Sequence, residues 1–125
     1  MERRFTAGNA ARDGDRYRGW LIGHFVEGDP LRRREDVEVK WLFHPAGDRE
    51  PRGWVANRSA TSLSILVHGE FRIGLRTDGE ERSLHLTAPG DYALWEPGVE
   101  HTWEALTDAV VLTIRTPSRP HDQHP

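Results

Sequence analysis

The segment Glu38-Val39-Lys40-Trp41-Leu42-Phe43-His44 holds the only lysine of the chain between a glutamate and a histidine. Alternate residues of a strand share a face, so Glu38, Lys40, Leu42 and His44 fall together, with Val39, Trp41 and Phe43 opposite. Turned inward, the polar face supplies a cation at Lys40 for an acidic ligand. Glu38 with His44 or His101 could then move protons, since a histidine titrates near neutrality. Turned outward, the same face is a wetted edge. There is no cysteine, which removes disulfides, thiolate metal sites, iron–sulfur clusters and a cysteine nucleophile. A metal would have to rest on histidine, carboxylate and water. No serine nucleophile elbow, glycine-rich phosphate loop or HExxH helix is present.

The elements that must position these groups read as strands. Short runs of β-branched and aromatic residues cover 20–25, 37–44, 62–67, 71–76, 83–87, 92–95, 101–105 and 110–115. Gly, Pro and Asp punctuate them at the spacing of an all-β barrel or sandwich. Thr77-Asp78-Gly79-Glu80 predicts a tight hairpin, and Pro89-Gly90-Asp91 and Glu96-Pro97-Gly98 predict turns. No convincing helix is expected. Residues 19–116 read as one domain, 1–18 as a flexible N-terminal segment, and 117–125 as a disordered tail whose composition cannot build a core. Trp54 follows the flexible approach Pro51-Arg52-Gly53, which could carry a lid, whereas Trp20, Trp41 and Trp95 read as structural fillers.

The run from Gly90 through Pro97-Gly98 to His101 resembles the second conserved motif of the cupin superfamily, with Glu96 at the usual first Pro and Ala105 at the usual Asn. Ser62 to Phe71, with Gly69 in place, resembles the end of the first motif. In the register of that motif the ligand positions fall on Val55, Asn57 and Ser62, none of them a conventional metal ligand. The resemblance covers about residues 37–115 and implies an antiparallel double-stranded β-helix, or jelly-roll barrel. Such barrels are often homodimers, with a site in the mouth that commonly holds a metal on three His and one Glu.

In the register implied by the resemblance, His101 points inward with Trp103 and Ala105, and so do Asn57, Ser62 and Ser64. Leu63, Ile65 and Val67 then face out and need cover from another sheet or subunit. His101 alone is too few donors for a divalent cation, so no metal is expected. Partners from His24, His44, Asp48 or Glu50 would be an unconventional set. The leading expectation is a small-molecule pocket inside the barrel, walled by Trp103 and Trp54 with Asn57, Ser62, Ser64 and His44 as polar lining. The alternatives are a small enzyme, an isomerase, cyclase or dehydratase with His101 as acid or base assisted by Glu38 or Lys40; a metal-dependent oxygenase with His101 as ligand; and a structural dimer module with a filled barrel.

Composition narrows the partners. With 17 basic against 20 acidic residues and a net charge of −3, and no massed basic segment, nucleic-acid binding is not expected. No apolar run reaches the roughly 20 residues of a membrane helix, and no secretory signal is apparent, so a cytoplasmic protein is expected, and the resemblance implies a homodimer.

Overall fold

The computed structural model describes residues 4–125. Its ten strands are β1 (Trp20–Ile22), β2 (Glu38–His44), β3 (Ala56–Asn57), β4 (Thr61–His68), β5 (Phe71–Thr77), β6 (Glu80–Leu86), β7 (Tyr92–Trp95), β8 (Glu100–Ala105), β9 (Ala109–Thr116) and β10 (Gln123–His124). They form a five-stranded sheet, β1-β2-β9-β4-β7, a three-stranded sheet, β6-β5-β8, and the small pair β10-β3. All the strand pairs are antiparallel. The all-β class and the jelly-roll alternation of strands between two sheets follow the sequence expectation.

Turn chemistry sets the connections. Asp78 and Gly79 both have positive φ, 49° and 78°, as a two-residue hairpin between β5 and β6 requires. Gly69, between β4 and β5, has φ 88°, and a Cβ there would lie 2.1 Å from the carbonyl oxygen of Asp108. No other residue fits without moving the backbone.

The core lies between the two large sheets: Leu66, Ala93, Trp95, Ala109 and Val111 from one, and Phe71, Ile73, Leu86 and Ala105 from the other. The loop after β2 runs beside β8. Gly47 N–H donates to the Ala105 carbonyl, Glu50 N–H to that of Trp103, and Val55 exchanges two bonds with His101. The backbone of His101 is thus gripped by Val55 on one side and by β5 on the other.

Two differences from the sequence expectation lie at the ends. A single helical turn, Ala10–Asp13, forms where none was expected, with the Asn9 side chain accepting from Arg12 N–H as its cap. The C-terminal residues do not run free: Gln123 and His124 pair with Asn57 and Ala56. The anchor is Asp122, whose carboxylate accepts from the backbone N–H groups of Ser59 and Ala60 and from the Ser59 hydroxyl. One well-placed carboxylate, invisible to composition, orders a tail that cannot build a core of its own.

Candidate functional site

The register of the five-stranded sheet places its inward side chains in rows: Glu38, Arg115, Ser62 and Trp95; then Lys40, Thr113, Ser64 and Ala93; then Leu42, Val111 and Leu66. The polar face of β2 therefore looks into the barrel. Opposite stand Phe71, Ile73, His101 and Trp103 from the three-stranded sheet. Between them is a cavity of about 550 Å3 lined by Lys40, Leu42, His44, Ser64, Phe71, Ile73, Trp95, His101, Trp103, Val111, Thr113 and Arg115, with Arg18, Trp20, Glu50, Arg52 and Gln123 among those completing it.

His101 is buried, with a side-chain nitrogen against each ring nitrogen. The Trp95 indole N–H donates to Nδ1 at 3.1 Å, so a neutral ring carries its proton on Nε2. Nε2 lies 3.2 Å from the amide nitrogen of Gln123; with Nδ1 accepting from Trp95 two donors face each other there, so of the two contacts only the one with Trp95 is a hydrogen bond of the neutral ring. Burial lowers its pKa to about 4, because removal from water disfavours the charged ring. At neutral pH His101 is a fixed hydrogen-bonding group, and not the near-neutral acid or base expected from its residue type.

His44 is differently set. It packs against Trp103 and Phe71, with ring centroids 4.6 and 5.2 Å away, and its Nδ1 meets the Asp48 carboxylate at 2.8 Å. Burial lowers its pKa, outweighing the opposing hydrogen bond to Asp48. With Nδ1–H donated to Asp48, Nε2 is the acceptor, and it has no protein partner among the described residues. It can accept a ligand's donor or take up its proton.

Lys40 reaches the cavity from the middle row. Its ammonium lies 5.0 Å from the centroid of the Trp20 ring, and burial, with Arg115 nearby, lowers its pKa to about 8. At the Glu50 carboxylate, burial pushes upward, but hydrogen bonds from the Arg52 side chain and backbone and from the Trp103 indole leave its pKa lowered.

Several expected lining residues lie elsewhere. Asn57 and Ser62 are buried and closed on each other, Asn57 Nδ2–H donating to Ser62 Oγ at 2.7 Å, behind the cavity. Glu38 is buried too, accepting from Ser118 Oγ–H at 2.8 Å and from Arg115 at 3.4 Å. Trp54 stands outside the barrel against Gly74, with the Arg76 guanidinium 4.1 Å from its ring centroid, at a groove on the outer face of the three-stranded sheet. It faces out because Val55, its neighbour, takes the inward place beside β8. Ser64, His44, Lys40, Trp103 and His101 do meet around the cavity.

Sequence reasoning missed Arg115, Thr113 and Gln123, named Glu50 only as an unconventional metal partner and Arg52 only in the approach to Trp54, and read Trp20 and Trp95 as fillers. Alternation along 110–115 held the signal for Thr113 and Arg115, which share the face of Val111. Gln123 had none, because its place depends on Asp122.

The donor set does not fit a metal ion. The positions implied as ligands carry Val55, Asn57 and Ser62, and Gln123 places its carboxamide between Asn57 and His101, donating to Asn57 Oδ1 at 3.3 Å. Among the described residues no three His, Cys, Asp or Glu side chains converge. The site can offer hydrogen bonds, positive charge and aromatic surface.

This architecture is the cupin barrel. Comparison with solved structures places the chain beside Bacillus subtilis oxalate decarboxylase (TM-score 0.64, 16% identity, 75% of this chain and 25% of that one). It is also similar to a cupin protein from Bacteroides fragilis (0.54, 23%, 68% and 69%) and to peruvianin-I, a cysteine peptidase from Thevetia peruviana latex (0.62, 19%, 71% and 55%). The chain spans about a quarter of the decarboxylase and just over half of peruvianin-I. No family model and no curated protein sequence matches. The likeness is one of fold. No helix among the described residues is long and apolar enough to cross a membrane.

Proposed function

We propose that this chain binds a small organic molecule inside the barrel, with hydrogen bonds and charge where other barrels of this shape place a metal. The observation that carries the reading is the hollow itself: about 550 Å3, within the range of small-molecule sites, with apolar walls and a few oriented polar groups. A purely structural barrel would fill that space with side chains, as protein interiors do.

The test uses a neutral aromatic probe, 2-naphthol, followed through the indole N–H signals in nitrogen–proton correlation spectra. Saturable shifts are expected for Trp20, Trp95 and Trp103, which line the cavity, with Trp41 and Trp54 unmoved. Val111→Trp, which fills the hollow, should abolish them. No shift at millimolar probe, or the same shifts in Val111→Trp, would remove the reading.

We also infer that a second copy of the chain covers the outer face of the five-stranded sheet. Its outward rows are Val39, Ile114, Leu63 and Leu94, then Trp41, Leu112, Ile65 and Tyr92, then Phe43, Val110 and, at the rim, His68. Apart from His68 at the rim, these rows contain no ionisable acid or base other than the Tyr92 phenol. Phe43, Tyr92 and Leu94 are 55%, 64% and 58% exposed, and a continuous apolar face of this kind is rare on monomers. Lacking charge, it is complementary to itself, as an isologous contact requires. Sedimentation equilibrium is expected to give a dimer, and Tyr92→Lys with Leu94→Lys a folded monomer. A monomeric wild type at micromolar concentration would refute this.

A further inference from the structure

Resting on the reading that the barrel hollow is the ligand site, we infer that its ligand is an organic acid: a compact aromatic or cyclic body whose carboxylate docks between Lys40 and Arg115. The argument is a charge count along the cavity wall. Arg52 is matched by Glu50 through Nε at 2.9 Å. Arg115 is matched by Glu38 through one Nη at 3.4 Å. Lys40 has no carboxylate within ion-pair distance among the described residues. Its ammonium meets only the Trp20 ring, and the Arg115 guanidinium lies 4.8 Å from the centroid of that ring. Two cations thus share one indole and one carboxylate.

The hydrogen-bond inventory agrees. Arg115 Nε is buried without a partner, an unsatisfied donor of the kind native interiors rarely leave. An ammonium held among barrel side chains, with Glu50 and Glu38 acting on it only from beyond ion-pair distance, is costly, and an incoming anion would offset that cost. With Arg18 also lining the cavity, four cations stand against Glu38 and Glu50, so the wall is positive and favours an anion, and Lys40 with the unpartnered Nε of Arg115 offers it a docking point. The Thr113 and Ser64 hydroxyls, 2.9 Å apart, continue the Lys40 row and extend the polar stripe. Phe71, Ile73, Val111 and Trp103 offer the body of the ligand an apolar wall. His44 lies on the same face of β2, about 13 Å along the strand from Lys40. Its Nε2 accepts a donor such as a hydroxyl at the far end of the molecule.

The test compares 2-naphthoate with its neutral isostere 2-naphthamide, again through the indole signals. In the wild type the acid is expected to bind about tenfold or more tightly than the amide, the scale of one charge-assisted contact. Lys40→Met, which keeps the aliphatic stem, should erase that preference while leaving amide binding intact, and Lys40→Arg should restore part of it. Equal affinities in the wild type would overturn the carboxylate inference, and so would a preference that survives Lys40→Met. The pocket reading would stand in either case. If Lys40→Met fails to fold, the ratio of acid to amide in the wild type decides alone. If neither probe moves Trp20, Trp95 or Trp103, both readings fall.

Discussion

Glu38→Ala is expected to cost the fold about 3–5 kcal/mol, lowering the melting temperature by roughly 10–20 °C for a domain of this size. The carboxylate is 7% exposed and ties three segments together. Oε2 receives Arg115 from β9, and Oε1 receives Ser118 from the segment after it. The Ser118 hydroxyl in turn takes the backbone N–H of His24 at 3.0 Å and meets the His24 ring at 2.7 Å. Deleting the carboxylate leaves the Arg115 charge at the barrel wall with no anion, and uncompensated burial is the costly outcome. Glu38→Leu combined with Arg115→Met should recover most of the loss, because removing both partners of a buried pair is far milder than removing one. Urea unfolding of the three proteins measures the cycle. A loss below about 1 kcal/mol in Glu38→Ala, the scale of an exposed ion pair, would show that the glutamate holds nothing together. The role assigned by this geometry is structural, whereas alternation alone had placed Glu38 beside Lys40 as a proton-transfer candidate.

That contrast marks how far the sequence could be read. The strands between 37 and 115 were legible because β-branched and aromatic runs alternate with Gly, Pro and Asp turns. The hairpin at Asp78-Gly79 formed for the reason its residues suggest. Alternation also sorted Glu38, Lys40 and His44 to one face and Val39, Trp41 and Phe43 to the other. It could not say which face is inside. Apolar rows are ordinarily the buried ones, but here Lys40, Thr113 and Ser64 line the barrel while Trp41, Leu112 and Ile65 look outward. Period two specifies a partition, and the closure of the second sheet decides its sense. The same limit applies to Trp54, whose proximity in sequence to Val55 and Asn57 suggested a common wall, although consecutive strand residues point opposite ways. His101 was legible by position and misleading by chemistry, since its depressed pKa arises from burial beside Trp95, and burial is a property of the assembled barrel.

The tail supplies the sharpest case of long-range contacts overriding local composition, and it carries a second large expected effect. Asp122→Ala should release residues 120–125 and destabilise the protein by about 2–3 kcal/mol, since three hydrogen bonds to one carboxylate are lost and bonds to a charged acceptor are the stronger kind. Those bonds come from Ser59 N–H at 2.9 Å, Ala60 N–H at 3.0 Å and the Ser59 hydroxyl. Once they are gone, only the short β10–β3 pairing, the Arg58 N–H to Asp122 carbonyl bond at 2.7 Å and side-chain contacts of Gln123 remain to hold the strand. Gln123 would then leave Asn57 and His101, and Arg52 would lose its contact with the Gln123 carboxamide. The barrel would open at the place where the tail now interposes an amide. Hydrogen exchange reads this directly: the amides of Arg58, Ser59, Ala60 and Gln123 should lose protection in Asp122→Ala, while those of β4 and β9 keep theirs. The indole signal of Trp95, bonded to His101, should move as well. Unchanged protection at Ser59 and Ala60 would mean that the tail is held by something other than this carboxylate. A loss spread equally over β4 and β9 would mean that the tail is part of the global fold, whereas the contacts described here make it a clasp that opens by itself.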